Sequence, residues 1–125
     1  MALIAGAIYQ LLRLGFRFYI DIRTLLTYYD SMIIGKIRHK GLRLLYEDDD
    51  PRGVPSASAA KIKRILSALE YADDLEQLKT IPAWKLHQLK GSRAGDYSLS
   101  VTGNWRITFS IQGSFITDLN FEDYH

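Results

Sequence analysis

The chain has 125 residues, 47% of them hydrophobic, and a formal net charge of +2; this suffices for one domain around one core and is too little charge for a general nucleic-acid binder. It contains no cysteine, which excludes disulfides, thiolate catalysis and cysteine-ligated zinc or iron-sulfur centres and gives no support to an oxidising compartment. A cytoplasmic location is the expectation.

Residues 1–31 differ in character from the rest: the apolar stretch Ala2 to Leu12 is followed by Arg13, Arg17, Asp21 and Arg23 among leucines and aromatics. A secretory signal would start basic and end in a small-residue cleavage site. A membrane helix would need about twenty mostly apolar residues, and Arg13 and Arg17 interrupt the run, so no membrane partner is expected. Two readings remain, an amphipathic helix packed on the domain or an interface, and upstream sequence joined by an early start assignment. The second is preferred because Met32 opens directly into the strand-like Ile33-Ile34-Gly35-Lys36-Ile37. The chain is therefore divided into an extension, 1–31, and a domain, 32–125.

From Met32 the pattern predicts a short strand, two helices and then a set of strands. Lys40 to Glu47 carries Leu42, Leu45 and Tyr46 at helical spacing, and the acidic run Glu47 to Asp50 with Pro51 and Gly53 ends it. A longer helix follows, capped by Ser56 or Ser58, with Ile62, Ile65, Leu66, Leu69 and Ala72 on one face. Lys61, Lys63 and Arg64 lie mostly off that stripe, either as a solvated face or as RNA contacts. Asp73 to Pro82 leads into the strands.

The second half alternates with a period of two, which sorts side chains by face. Tyr97, Leu99 and Val101 face one way, as do Trp105, Ile107, Phe109 and Ile111, and Thr102-Gly103-Asn104 is a tight connection that makes the two runs an antiparallel hairpin. Leu86 matches the core side, which turns Lys85 and His87 outward. In the last strand Phe115, Thr117, Leu119 and Phe121 are expected on one side and Ile116, Asp118 and Asn120 on the other. The open face then gathers His87, Ser98, Ser100, Arg106 and Thr108, with Asp118 as a further candidate. The fold class predicted is α+β, with the helices under one face of a mainly antiparallel sheet.

Two of the three histidines, His87 and His125, bracket a segment in which Lys79, Lys85, Lys90, Arg93 and Arg106 face a single acid, Asp96. The chain ends Asp123-Tyr124-His125. Imidazoles move protons near neutral pH while lysine and arginine hold phosphate oxygens, so the combination suits a phosphodiester substrate. Each residue also has an ordinary explanation. His87 can be a plain strand histidine, Trp105 a core residue rather than a stacking platform, and Tyr124 a packed terminal aromatic rather than a surface for a base. Arg106 can pair with Asp118 across strands. His39 sits where a helix starts and reads as structural. The histidines lack short ligand spacing, so neither a metal nor another cofactor is expected.

Arg38-His39-Lys40-Gly41-Leu42, Leu86-His87-Gln88-Leu89-Lys90-Gly91, Gly103-Asn104-Trp105-Arg106-Ile107-Thr108-Phe109 and the terminal Glu122-Asp123-Tyr124-His125 together resemble the HigB branch of the RelE-like bacterial toxins, the host-inhibition or plasmid-maintenance killer proteins. The resemblance covers residues 32–125. It implies a compact microbial-ribonuclease-like fold, ribosome-dependent cleavage of mRNA in the decoding site, and neutralisation by a HigA-type helix-turn-helix antitoxin. It further implies a catalytic set of His87, Arg106, Asp123, Tyr124 and His125, with Lys40, Lys90 and Arg93 as substrate contacts. The implied reaction is attack of a ribose 2′-hydroxyl on the adjacent phosphorus, leaving a cyclic phosphate and a 5′-hydroxyl. That needs a base, an acid and a cation on the phosphoryl oxygens. Arg106 is expected to be the cation and His125 the acid, with Asp123 or His87 as base. The alternative is a non-catalytic protein of the same fold that binds antitoxin, ribosome or both. A free-standing ribonuclease is disfavoured by the low net charge. Two features depart from the family pattern: the acidic run Glu47 to Asp50 and the extension 1–31.

Overall fold

The computed structural model describes residues 32–124; the extension 1–31 and His125 lie outside the described residues. The described chain runs β1 (Ile33–Ile34), α1 (Lys40–Asp48), α2 (Ala59–Tyr71), β2 (His87–Gln88), β3 (Asp96–Thr102), β4 (Trp105–Gln112) and β5 (Phe115–Asp123), with short 3-10 turns between. The sheet order is β1-β5-β4-β3-β2. β1 runs parallel to β5 and every other pairing is antiparallel. This is the α+β architecture expected from the sequence.

Helix α1 begins at His39, whose Nδ1 accepts the backbone N–H of Leu42 at 3.2 Å, so one orphan amide of the first turn is satisfied. The ring also packs edge-on to Phe121 at 5.7 Å, and burial lowers its pKa, which suits a neutral cap that accepts a hydrogen bond. The helix ends at Asp49, a left-handed residue with φ 53°. Two residues of the acidic run are paired locally: Asp49 pairs with Lys63 of α2, and Asp50 binds the Arg52 side chain and backbone. Gly41 is needed where it stands, because a Cβ there would lie 1.9 Å from the backbone oxygen of Gly53. The first turn of α1 and the Pro51–Gly53 turn thus meet backbone to backbone.

Helix α2 buries Ile62, Ile65, Leu66 and Leu69, the stripe read from its spacing. Ser58 occupies the N-cap position but makes no side-chain cap bond. Lys61 donates to the Val101 carbonyl at 2.7 Å and Lys63 pairs with Asp49, so two of the three basic residues of this helix are tied to the protein itself.

These helices cover one face of the sheet, where Leu99, Val101, Ile107, Phe109, Ile116, Leu119 and Phe121 complete a continuous core with Leu42, Leu45 and the α2 stripe. Trp105 lies on the same side at the end of β4, 39% exposed and stacked on Phe121 at 4.8 Å.

One expectation from the alternation is corrected. Ile116 is fully buried and Phe115 is 49% exposed, the reverse of the predicted facing. The pairing of β4 with β5 shifts by one residue between Thr108↔Asn120 and Ser110↔Thr117, and Asp118 sits there at φ 53°. An extra residue in one strand inverts the facing of everything on one side of it. From Leu119 onward the expected facing holds. Among the described residues no helix is long and apolar enough to cross a membrane.

Candidate active site

The face of the sheet away from the helices is polar, and the register arranges it in rows. His87 pairs with Ser98, Ser98 with Thr108, and Thr108 with Asn120, giving one row across four strands. The next row is Ser100, Arg106 and Glu122. Ser98 and Thr108 are buried despite lying on this face, because the β2–β3 connection sends Arg93 back across it.

Arg93 is held at both ends of its path. Its Nε donates to Asp96 Oδ2 at 3.2 Å, while Nη1 and Nη2 donate to the two oxygens of Glu122, the latter at 3.3 Å. Its guanidinium carbon lies 5.7 Å from the centre of the Tyr124 ring, within cation–π range. Thr108 Oγ1 donates to Glu122 Oε2 at 2.8 Å and Asn120 Nδ2 does so at 3.1 Å. Hydrogen bonding from Arg93 is the main reason the Glu122 carboxyl lies below its ordinary pKa; burial opposes it, and Thr108 and Asn120 reinforce the lowering. Asp96 also accepts from Ser110 Oγ at 2.6 Å.

Arg106 is treated differently. It lies directly across from Glu122, yet Glu122 binds Arg93; Arg106 Nη1 donates instead to the Ser100 hydroxyl, and its Nε is buried without a partner. Among the described residues no carboxylate pairs with it, and the expected alternative contact with Asp118 is not formed: the register sets Glu122 across from Arg106 and leaves Asp118 further along β5, at the bulge. A guanidinium aimed by a neutral hydroxyl keeps its charge for an incoming anion. His87 is exposed on edge strand β2, with Nδ1 3.0 Å from the Lys85 carbonyl. A carbonyl only accepts, so Nδ1 carries the proton in that contact, and Nε2 is the ring nitrogen left for another partner.

Residues 35–125 match the sequence model of the RelE-like toxin of the type II toxin-antitoxin system HigB. The chain belongs to that family. It is also 41% identical over 93 residues to the Endoribonuclease HigB of Proteus vulgaris, a match that covers 74% of this chain and all of the relative.

Of the residues marked by the HigB resemblance, His87, Arg93, Arg106 and Tyr124 share the polar face. Asp123 ends β5 opposite Trp105, so the register puts it on the other side of the sheet from Arg106. Lys90 is exposed at the start of the β2–β3 connection, and Lys40 is exposed in the first turn of α1, in the helical layer. His125 lies outside the described residues. The residue that sequence reasoning passed over is Glu122, the hub of the network. Its position was legible, since it follows the core residue Phe121 directly and stands two residues from Asn120, on the alternate side of the strand with it; its partner Arg93 arrives from a connection whose path no periodicity encodes. Among the described residues no three His, Asp or Glu side chains converge as a metal site would require. A cleft of about 400 Å³ lined by Met32, Asp74, Ile111 and Ser114 lies at the other end of the β4–β5 hairpin, away from these groups.

Proposed function

We propose that this chain is a ribosome-dependent mRNA endoribonuclease: it cuts mRNA in the ribosomal decoding site, arrests translation in the cytoplasm, and is neutralised by a HigA-type helix-turn-helix antitoxin. The observation that carries the catalytic part is the pairing, on one open face, of an outward imidazole at His87 with a guanidinium at Arg106 that no described carboxylate neutralises. Membership of the HigB-like toxin family and the similarity to a relative called an endoribonuclease supply the substrate class.

In this mechanism His87 Nε2 takes the proton of the ribose 2′-hydroxyl as its oxygen attacks the adjacent phosphorus. Arg106 holds the phosphoryl oxygens as charge builds on them, and the 5′-oxygen leaves with a proton, giving a 2′,3′-cyclic phosphate and a 5′-hydroxyl. Asp123 is the weaker choice of base because its register faces away from Arg106. His125 is assigned the donor role. Tyr124 offers a ring on which a base can stack.

The test is cleavage of a defined messenger in a reconstituted ribosome complex by the full chain with an untagged C-terminus. We expect cutting within the decoding-site codon, reduced about 10²–10³-fold in kcat by Arg106→Ala and about 10²–10⁴-fold by His87→Ala or His125→Ala. A folded, ribosome-bound chain that cuts nothing would instead be a non-catalytic binder of antitoxin or ribosome.

A further inference from the structure

The most elaborate polar arrangement on the open face is built around Glu122, a residue to which the proposed reaction gives no step. Three donors from three segments converge on its single oxygen Oε2: Arg93 Nη2 at 3.3 Å, Thr108 Oγ1 at 2.8 Å and Asn120 Nδ2 at 3.1 Å. Its other oxygen takes Arg93 Nη1. A guanidinium fork across both oxygens, with a hydroxyl and an amide on one of them, forms a site for an oxyanion, and the fork fits phosphate as well as carboxylate. The site is filled by the protein's own carboxylate. Its position is on the row of Arg106, beside the ring of Tyr124.

We propose that Glu122 is an internal stand-in for an RNA phosphate: it occupies the fork of Arg93 while the site is empty and yields it to a phosphodiester of the bound strand. This deepens the reading of the chain as an RNA-cleaving toxin and rests on it. Asp96 completes the device. It holds Arg93 by Nε, the edge opposite the fork, so that on exchange the guanidinium stays over the site while both Nη groups change partner. The consequence is selectivity by threshold. Loose RNA must displace a carboxylate to gain the Arg93 contact, whereas a strand already positioned by the ribosome makes the same exchange intramolecularly at high effective concentration. Glu122 is thus a positioning residue that acts through Arg93.

The test is binding of the full chain to a single-stranded RNA blocked against cleavage by 2′-O-methyl groups, without ribosomes, followed by fluorescence anisotropy across a series of salt concentrations. Glu122→Gln keeps the shape and an acceptor for Thr108 and Asn120. It is expected to tighten binding about tenfold at low salt and to steepen the slope of log K against log salt by about 0.7, the value of one added single-strand phosphate contact. In an Arg93→Ala or Arg93→Gln background the same substitution should bring no such gain. Tightening that persists without Arg93 would be a general charge effect and would overturn the proposal. So would weaker binding with an unchanged slope, the sign of a mere strut. In the ribosome assay Glu122→Gln should lower KM more than it alters kcat; loss of kcat at unchanged KM would make Glu122 a catalytic group and would also overturn it. Because the binding measurement needs no cleavage, an Arg93-dependent gain by a chain that cuts nothing would fail the endoribonuclease reading alone, and cutting by a chain that shows no gain would fail this inference alone.

Discussion

At the level of single residues, the polar face separates two arginines that look alike in sequence. Arg93 is neutralised by Asp96 and Glu122, whereas Arg106 is aimed by the hydroxyl of Ser100. The difference sets a pH dependence. The Glu122 carboxyl titrates below its ordinary value of 4.5, first because of Arg93. A lowered folded-state pKa means that its stabilisation is complete above that ordinary value and disappears as pH falls through the lowered one. The gap in urea midpoint between the wild-type chain and Glu122→Gln, measured from pH 7 down to pH 3, should therefore shrink on acidification; a gap constant with pH would show that Glu122 contributes nothing through its charge. The sequence made the placing of Arg106 and His87 on the polar face legible through period-two alternation, and it singled out Tyr124 through the terminal triplet. It concealed the state of Arg93, since ion pairing between residues 29 apart depends on how the β2–β3 connection folds back.

At the level of elements, the order of strand, two helices and four further strands was readable from periodicity, and so was each apolar stripe. What escaped was the phase of the first half of β5. Alternation alone treats a strand as a ruler with even divisions, and the extra residue at Asp118 breaks that assumption without any Gly or Pro to announce it. Aspartate tolerates the left-handed backbone better than most side chains, which is the only local hint. The two facings predict different costs. Ile116→Ala should lower stability by about 2–5 kcal/mol, as for a core residue, while Phe115→Ala should cost less than about 1 kcal/mol. Chemical denaturation of the two variants decides between them, and the reverse ranking would remove the bulge. The close meeting of Gly41 with Gly53 was equally hidden, because a glycine required by a neighbour's backbone looks in sequence like any other glycine.

At the level of the whole molecule, the acidic run and the polar face belong to different layers. The acidic run at the end of α1 belongs to the helical side, paired in part with Lys63 and Arg52, and the opposite face carries Arg106. Exposed charges separated by more than about 8–10 Å are largely screened at physiological salt. Neutralising Glu47 and Asp48 as Gln and Asn should accordingly change ribosome-dependent cleavage by less than about twofold; a large gain would place the helical layer against RNA. The β4–β5 hairpin is built from the two longest strands of the sheet, Trp105–Gln112 and Phe115–Asp123. Its open end bears Arg106 and Glu122, and its closed end is the Gly113–Ser114 turn, near Met32. Seven residue steps at about 3.3 Å each put the turn roughly 23 Å from the row of Arg106 and Glu122. The hairpin therefore has a handle as well as a blade: a dye or tether attached at the exposed turn would ride on the same two strands as Arg106 and Glu122, reporting the arrival of that row at a target from a distance.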